Sequence, residues 1–328
     1  MKNRFMKLIG LAIASLIVPL CTSCNSSADD GKLKIVTSIY PEYDWVMNVL
    51  GEKKDNATVT MLLDSGRDLH SYEPTPKDIK NIAKCDLLIY VGGESDEWVD
   101  DALKQAINKN MKTINLLETL GDGAKEEDEE GVEEDDHDDD HDHEHEEGEV
   151  EYDEHVWLSL KNAKLFVKTI GDTLGQIDQE NASYYKSNAD SYITSLNELD
   201  ASYQEAVDAK VKDTLLFADR YPFRYLLDDY NLKHVAAFNG CSAENTIGPN
   251  TLRYLVSQIN ELNLNVIFKI DGSDGKIAQS VKESSGKSDL QILTMDSLQS
   301  GTSSQFSSTS NYLTRMRSNL VALKEALK

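Results

Sequence analysis

Short apolar runs alternate in a regular rhythm with helical segments along this chain. The rhythm stops, gives way to one long helical stretch, and then starts again. Leu33–Ser38 (LKIVTS), Ala57–Leu63 (ATVTMLL), Leu87–Val91 (LLIYV) and Thr113–Leu116 are short and rich in branched residues, as buried strands are. Helical segments separate them at Tyr43–Leu50, Lys77–Ala83 and Trp98–Asn108. The second of these has Thr75 placed as N-cap and Pro76 at its first position. Strand and helix in alternation predict a parallel sheet with crossover helices.

The same alternation returns later. Strands are expected at Thr214–Ala218, Val235–Phe238, Val266–Ile270 and Gln291–Met295, with helices at Phe223–Tyr230, Asn250–Asn263, Gly275–Ser285 and Asn311–Leu327. Between the two halves lie a helix at Asn162–Leu174 and a helical stretch over 181–208, which spans roughly 40 Å at 1.5 Å per residue. The expected fold is therefore α/β: two lobes, each with a parallel sheet and flanking helices, joined by a single long helix. The N-terminal lobe would cover 33–180, the linking helix 181–208 and the C-terminal lobe 212–328. A cleft between two such lobes is a common place for a ligand. A continuous helix resists bending, so a small tilt or a loop movement is expected there, with the His70 loop as the mover.

Charge divides the chain unevenly. From Asp122 to Glu154 there are 21 acidic residues and one basic residue, Lys125, while the remainder carries 37 acids and 32 bases. An almost neutral body thus bears an acidic insert at about 122–152. The insert has no apolar period with which to build a core and is expected to be loosely ordered. Four of the seven histidines lie in it: His137, His141, His143 and His145. They would bind cations weakly. A net charge of −25 with no basic patch excludes nucleic acid as a partner.

The N-terminus has the composition of an export signal over residues 1–24: Lys2, Arg4 and Lys7 precede an apolar run from Leu8 to Leu20, too short to span a membrane comfortably. The run ends in Leu20-Cys21-Thr22-Ser23-Cys24, which is similar to a lipobox with Cys24 as the lipidated residue. Residues 25–32 would be a polar tether. Cys85 and Cys241 lie far apart and are expected to be free thiols.

Several residues carry metal chemistry. His70 follows the strand ATVTMLL, and His155 lies just past the acidic run. Asp219, Asp271 and Asp296 stand at the carboxyl ends of three second-lobe strands, where open α/β sheets bind ligands. Two neutral imidazoles and two carboxylates balance a divalent cation and suit zinc, manganese or ferrous iron. Four protein ligands leave no open position, which points to carrying a metal and not to catalysis with one.

SGRDLHSYEPTPKDI with CDLLIYVGGESDEWV, YDEHVWLSLKNA and MDSL resemble, in order, three metal-binding loops of the metal-receptor lipoproteins of zinc and manganese ABC transporters. The resemblance implies ligand roles for His70, His155 and Asp296. The third-ligand loop departs from the family pattern: LLFADRYPFRYLLDDY has Asp219 where a histidine or glutamate is usual, with Asp271 and Glu244 as alternatives. The insert is similar to the family's histidine-rich loop.

These readings predict an extracytoplasmic, membrane-anchored substrate-binding lipoprotein. It would be a monomer with no organic cofactor, delivering a divalent metal, zinc first, to a membrane permease and its ATPase. A manganese or iron receptor, or a surface adhesion or metal-storage lipoprotein, is the alternative. An enzyme is not expected, because His-Glu-x-x-His, a nucleophile elbow and a phosphate-binding glycine loop are all missing.

Overall fold

Eight strands and ten α-helices alternate along the described chain. The computed structural model describes residues 31–66, 68–127, 151–240 and 246–328. The signal segment with Cys24, Cys241, Glu244 and the four insert histidines lie outside the described residues. The first half runs β1 (Leu33–Thr37), α1 (Tyr40–Leu50), β2 (Ala57–Met61), α2 (Pro76–Ile82), β3 (Leu87–Tyr90), α3 (Trp98–Lys104), β4 (Lys112–Asn115) and α4 (Leu116–Leu120). Two helices follow, α5 (Leu160–Ile177) and α6 (Ala182–Asp208). The second half runs β5 (Thr214–Tyr221), α7 (Arg224–Asp229), β6 (Lys233–Asn239), α8 (Pro249–Glu261), β7 (Val266–Ile270), α9 (Lys276–Ser285), β8 (Gln291–Met295) and α10 (Tyr312–Ala326).

Both sheets are parallel and share one strand order, β2-β1-β3-β4 and β6-β5-β7-β8. In each, the chain goes from the first strand to an edge and then crosses back to the other side. The loops therefore diverge above the carboxyl ends of β1 and β3, and of β5 and β7, which is where such sheets place ligands.

The long helix α6 has 27 residues, as the sequence led us to expect, and it is packed along its length. Tyr185, Ala189, Tyr192, Leu196, Leu199, Tyr203 and Val207 recur every three or four positions and are buried, the spacing of one helix face. The Tyr192 hydroxyl donates to Asp44 Oδ1 of α1 at 2.9 Å, and the Tyr203 hydroxyl to the Met316 carbonyl of α10 at 2.7 Å. The helix is thus a spine shared by both halves. Other bonds cross between the halves beside it. Tyr312 N donates to Asp44 Oδ2 at 2.9 Å, its hydroxyl donates to the Trp157 carbonyl at 2.8 Å, and the Trp157 indole donates to the Ser297 carbonyl at 2.9 Å. One core runs through both sheets, and residues 32–328 form a single compact unit.

Two local features bear on the site. In β5, Phe217 pairs with Ala236 and Arg220 with Phe238, so Ala218 and Asp219 together face Ala237. This β-bulge carries the strand on to Tyr221 and re-aims the side chains beyond it. The base of the acidic insert is also paired, although the whole of 122–152 was expected to be loose. Glu126 bridges Tyr152, Glu127 N donates to the Glu151 carbonyl and Asp153 N to the Lys125 carbonyl, each at 2.9 Å. The Tyr225 hydroxyl of α7 receives Lys125 N at 2.8 Å and donates to the Asp153 carbonyl at 3.0 Å, fastening both arms of this neck. Backbone pairing overrides composition there. Cys85 is a free, buried thiol.

Candidate metal centre

His70 and His155, 85 residues apart in sequence, bring their Nε2 atoms to 3.3 Å. Each is held by an Asp-x-His turn, in which the aspartate accepts from the backbone two residues on. Asp68 Oδ1 accepts His70 N at 3.1 Å, and Asp153 Oδ1 accepts His155 N at 2.8 Å. The first turn caps the short 3₁₀ segment Leu69–Ser71, whose Leu69 is fully buried. His155 is itself fully buried, with its ring 5.2 Å from those of Trp157 and His70.

The Nδ1 atoms are tied to oxygen. Asp153 Oδ1 lies 3.0 Å from His155 Nδ1. His70 Nδ1 lies 2.9 Å from Ser95 Oγ and 3.4 Å from Glu154 Oε2. Glu154 also accepts Ser95 N, at 2.8 Å through Oε1. That approach needs Gly93, whose φ is +79° and whose Cβ, if present, would stand 2.4 Å from Glu154 Oε1. Gly240 serves His155 in the same way, because a Cβ there would lie 2.9 Å from His155 Cε1.

A carboxylate can only accept, so Asp153 favours the Nδ1–H tautomer of His155 and leaves its Nε2 lone pair exposed, while the Ser95 hydroxyl at His70 Nδ1 fits either tautomer. Two Nε2 atoms at 3.3 Å then face each other, an arrangement that a proton or a metal cation between them would satisfy. Two nitrogens at about 2.0–2.1 Å from one tetrahedral zinc ion would be separated by about 3.3 Å, whereas a right-angled pair at the same bond length would be about 2.9 Å apart.

The surrounding charge favours the same occupant. Burial alone would lower the His70 pKa, but Glu154 and Asp68 outweigh it and hold the group above its ordinary value. Burial alone would raise Glu154, but hydrogen bonds from His70 and Ser95 outweigh it and keep the carboxyl below its usual range, hence ionised.

The second-lobe aspartates are engaged elsewhere. Asp219, at the bulge, accepts Arg220 N at 2.9 Å and Ile270 N at 3.3 Å. Asp296 forms a two-pronged pair with Arg315 at 2.6 Å on both oxygens, and Oδ1 also accepts Leu298 N at 2.8 Å. Asp271 accepts Ser297 N at 2.6 Å and the hydroxyls of Ser297 and Ser300. Among the described residues no three His, Cys, Asp or Glu side chains gather as a metal-holding group. The structure joins the two histidines and does not bring Asp219, Asp271 or Asp296 into a group with them.

Sequence reasoning missed the carboxylates that surround the two histidines: Asp68 at the His70 backbone, Asp153 at His155 Nδ1 and Glu154 near His70 Nδ1. The repeated Asp-x-His in RDLH and YDEH was the available signal, but in the second case it merges with the acidic run.

Residues 35–326 match the family model described as ZnuA: Zinc-uptake complex component A periplasmic. The chain belongs to this family. Zinc-binding lipoprotein AdcA of Streptococcus pneumoniae (strain ATCC BAA-255 / R6) is 31% identical over 326 residues, covering 98% of this chain and 61% of that protein. The chain therefore spans about three fifths of the AdcA relatives it matches. High-affinity zinc uptake system protein ZnuA of Bacillus subtilis (strain 168) is 30% identical over 332 residues, covering 98% of each. The crystal structure of the Zn(II)-bound ZnuA-like domain of Streptococcus pneumoniae AdcA superposes with a TM-score of 0.70 at 27% identity, over 90% of this chain and 99% of that one. The two-sheet α/β architecture expected from the sequence is the architecture of this family.

Proposed function

We propose that this chain is the extracytoplasmic zinc receptor of an ABC-type uptake system and not an enzyme. It captures Zn²⁺ between the two halves and delivers it to a membrane permease driven by an ATPase. The carrying observation is the pair of imidazole Nε2 atoms at 3.3 Å, with the Nδ1 of His155 held by Asp153 and that of His70 by Ser95. That separation suits one tetrahedral ion, and imidazole nitrogen suits zinc better than calcium or magnesium. The zinc-binding relatives support the same cargo.

His70 and His155 supply the nitrogen ligands. Carboxylate oxygen from the second half completes the shell. Asp219 is the readier donor, since its two backbone hydrogen bonds leave lone pairs for a cation. Asp296 serves as a ligand only if it shares its oxygens with Arg315. Asp271 and Glu244 are the alternatives. The insert histidines His137, His141, His143 and His145 hold cations more weakly, and Cys24 carries the lipid that keeps the receptor, a monomer, at the membrane.

Elemental analysis of the protein purified without added metal tests the cargo: one zinc per chain is expected to survive dialysis, and manganese or iron in its place would reassign the receptor. His70→Ala and His155→Ala should each abolish that tight binding. Growth of a deletion strain in zinc-poor medium separates uptake from adhesion or storage, since only loss of uptake slows it.

A further inference from the structure

The segment that carries His70 is held from the opposite half of the molecule. After β2 the chain reaches Asp64, whose two oxygens accept Ser303 N and Ser303 Oγ, each at 2.6 Å. Four residues on, Asp68 Oδ2 meets Arg220 Nη1 at 2.7 Å while Asp68 Oδ1 caps the His70 turn. Arg220 is the first paired residue beyond the β5 bulge. The extra residue in that strand turns Asp219 toward Ile270 N and sends Arg220 across to the first half. His155 needs no such support, being fully buried between Asp153 and Trp157. The two ligands therefore differ in kind: one is built into the core, and the other rides on a turn pinned from across the cleft.

We propose that Arg220 is a positioning residue for metal retention: its ion pair with Asp68 holds the His70 turn against His155 and sets how fast the cargo leaves. The pair connects the halves through Asp68 Oδ2, while Oδ1 stays with the His70 turn, 4.0 Å from its Nε2, so loss of the pair frees His70 while leaving the other donors in place. Side chains of Arg220 and Asp68 are 24% and 25% exposed, which puts the pair among the modest, salt-sensitive ones.

The inference rests on the zinc-receptor reading, and two separate readouts keep the two apart. Hydrogen exchange in the metal-free protein judges the ion pair alone. Arg220→Gln should speed exchange across residues 68–72, where Ser71 N and Tyr72 N close the turn, and Arg220→Lys should restore part of the protection. Stopped-flow transfer of zinc to a chelator judges the consequence. Arg220→Gln should release zinc about two- to fivefold faster, the range of a partly exposed pair, with the association rate unchanged. Release from the wild type should quicken with added salt, and release from the variant should respond less. Wild-type exchange in Arg220→Gln would overturn the latch, and so would faster exchange with wild-type release. Failure of the wild-type chain to take up zinc at all would sink the receptor reading, and with it the release half of the inference.

Discussion

Replacing Asp153 isolates what a carboxylate behind a ligand contributes. One of its oxygens serves both the backbone N and the ring Nδ1 of His155, at 2.8 and 3.0 Å, and its side chain is only 6% exposed. Water has little access to replace it. Asp153→Ala therefore leaves a buried ring N–H without a charged acceptor, and the ring loses the constraint that aims Nε2 at the cation. A hydrogen bond to a charged group contributes about 1.5–3 kcal/mol. At about 1.4 kcal/mol per tenfold, that corresponds to a loss of roughly 10- to 150-fold in zinc affinity. Partners of metal-bound histidines elsewhere show about 10–100-fold effects. Asp153→Asn retains an acceptor oxygen of similar shape and loses only the charge, so its affinity should fall by about tenfold, at the lower end of that range. Competition against a fluorescent chelator at pH 7.5 measures both variants, with near-ultraviolet circular dichroism to confirm that Trp157 keeps its surroundings. Wild-type affinity in both variants, with dichroism unchanged, would refute the claim that Asp153 orients the ligand.

Four further outcomes are expected. Zinc affinity should fall as pH drops through the His70 titration, which lies above the ordinary value of ~6.5, because a proton then occupies the lone pair that binds metal; an affinity constant between pH 8 and 5 counts against imidazole ligation. The metal-free protein should respond to pH in the opposite sense. Burial raises Asp44 to about 6, Asp96 to about 7 and Glu42 to about 8, so the folded state holds these protons more tightly than the unfolded state. Their contribution is whole below the ordinary carboxylate range and is lost as pH rises through those values; thermal melts of Asp44→Asn should show a flatter slope between pH 4 and 6, and an unaltered slope would contradict it. Gly240→Ala places a Cβ 2.9 Å from both His155 Cε1 and the Tyr221 carbonyl, so stability should drop by about 1–3 kcal/mol and zinc binding should weaken, as denaturant titration and chelator competition would show. Deleting 128–150 while keeping the paired neck should lower the number of zinc ions bound and spare the tightest, whereas loss of the tight ion would misplace the centre.

The strands and helices were legible because their cues are local. β7 and β8 begin and end where the apolar runs do, and α2 starts on the Thr75 cap and Pro76. α1 begins at Tyr40, earlier than its apolar spacing suggested, because Pro41 fits the first turn of a helix. α4, only five residues long, is too short to show a period. At the site, the histidine pair was legible from its motifs. The β5 bulge was not, since an extra residue shows only when a neighbouring strand is counted against it. Nor could Asp296 be seen as the partner of Arg315, which lies 19 residues later on α10. The expected rod between lobes proved to be a shared spine for a physical reason: tyrosines on α6 have both an apolar ring to bury and a hydroxyl to anchor at each half.

The paired neck of the acidic insert fixes where that segment leaves the body. Tyr152 closes the neck three residues before His155, so the last insert histidine, His145, is ten residues of chain from the cleft. Ten residues reach at most about 35 Å. If the insert histidines hold zinc as proposed, a cation on His145 is tethered to His155 by no more than that length of chain. On the proposed reading, a cation that leaves the insert would begin its search near the tight site. In a dilute medium, filling would then depend on how often the insert is loaded and less on direct encounters between free zinc and the buried pair.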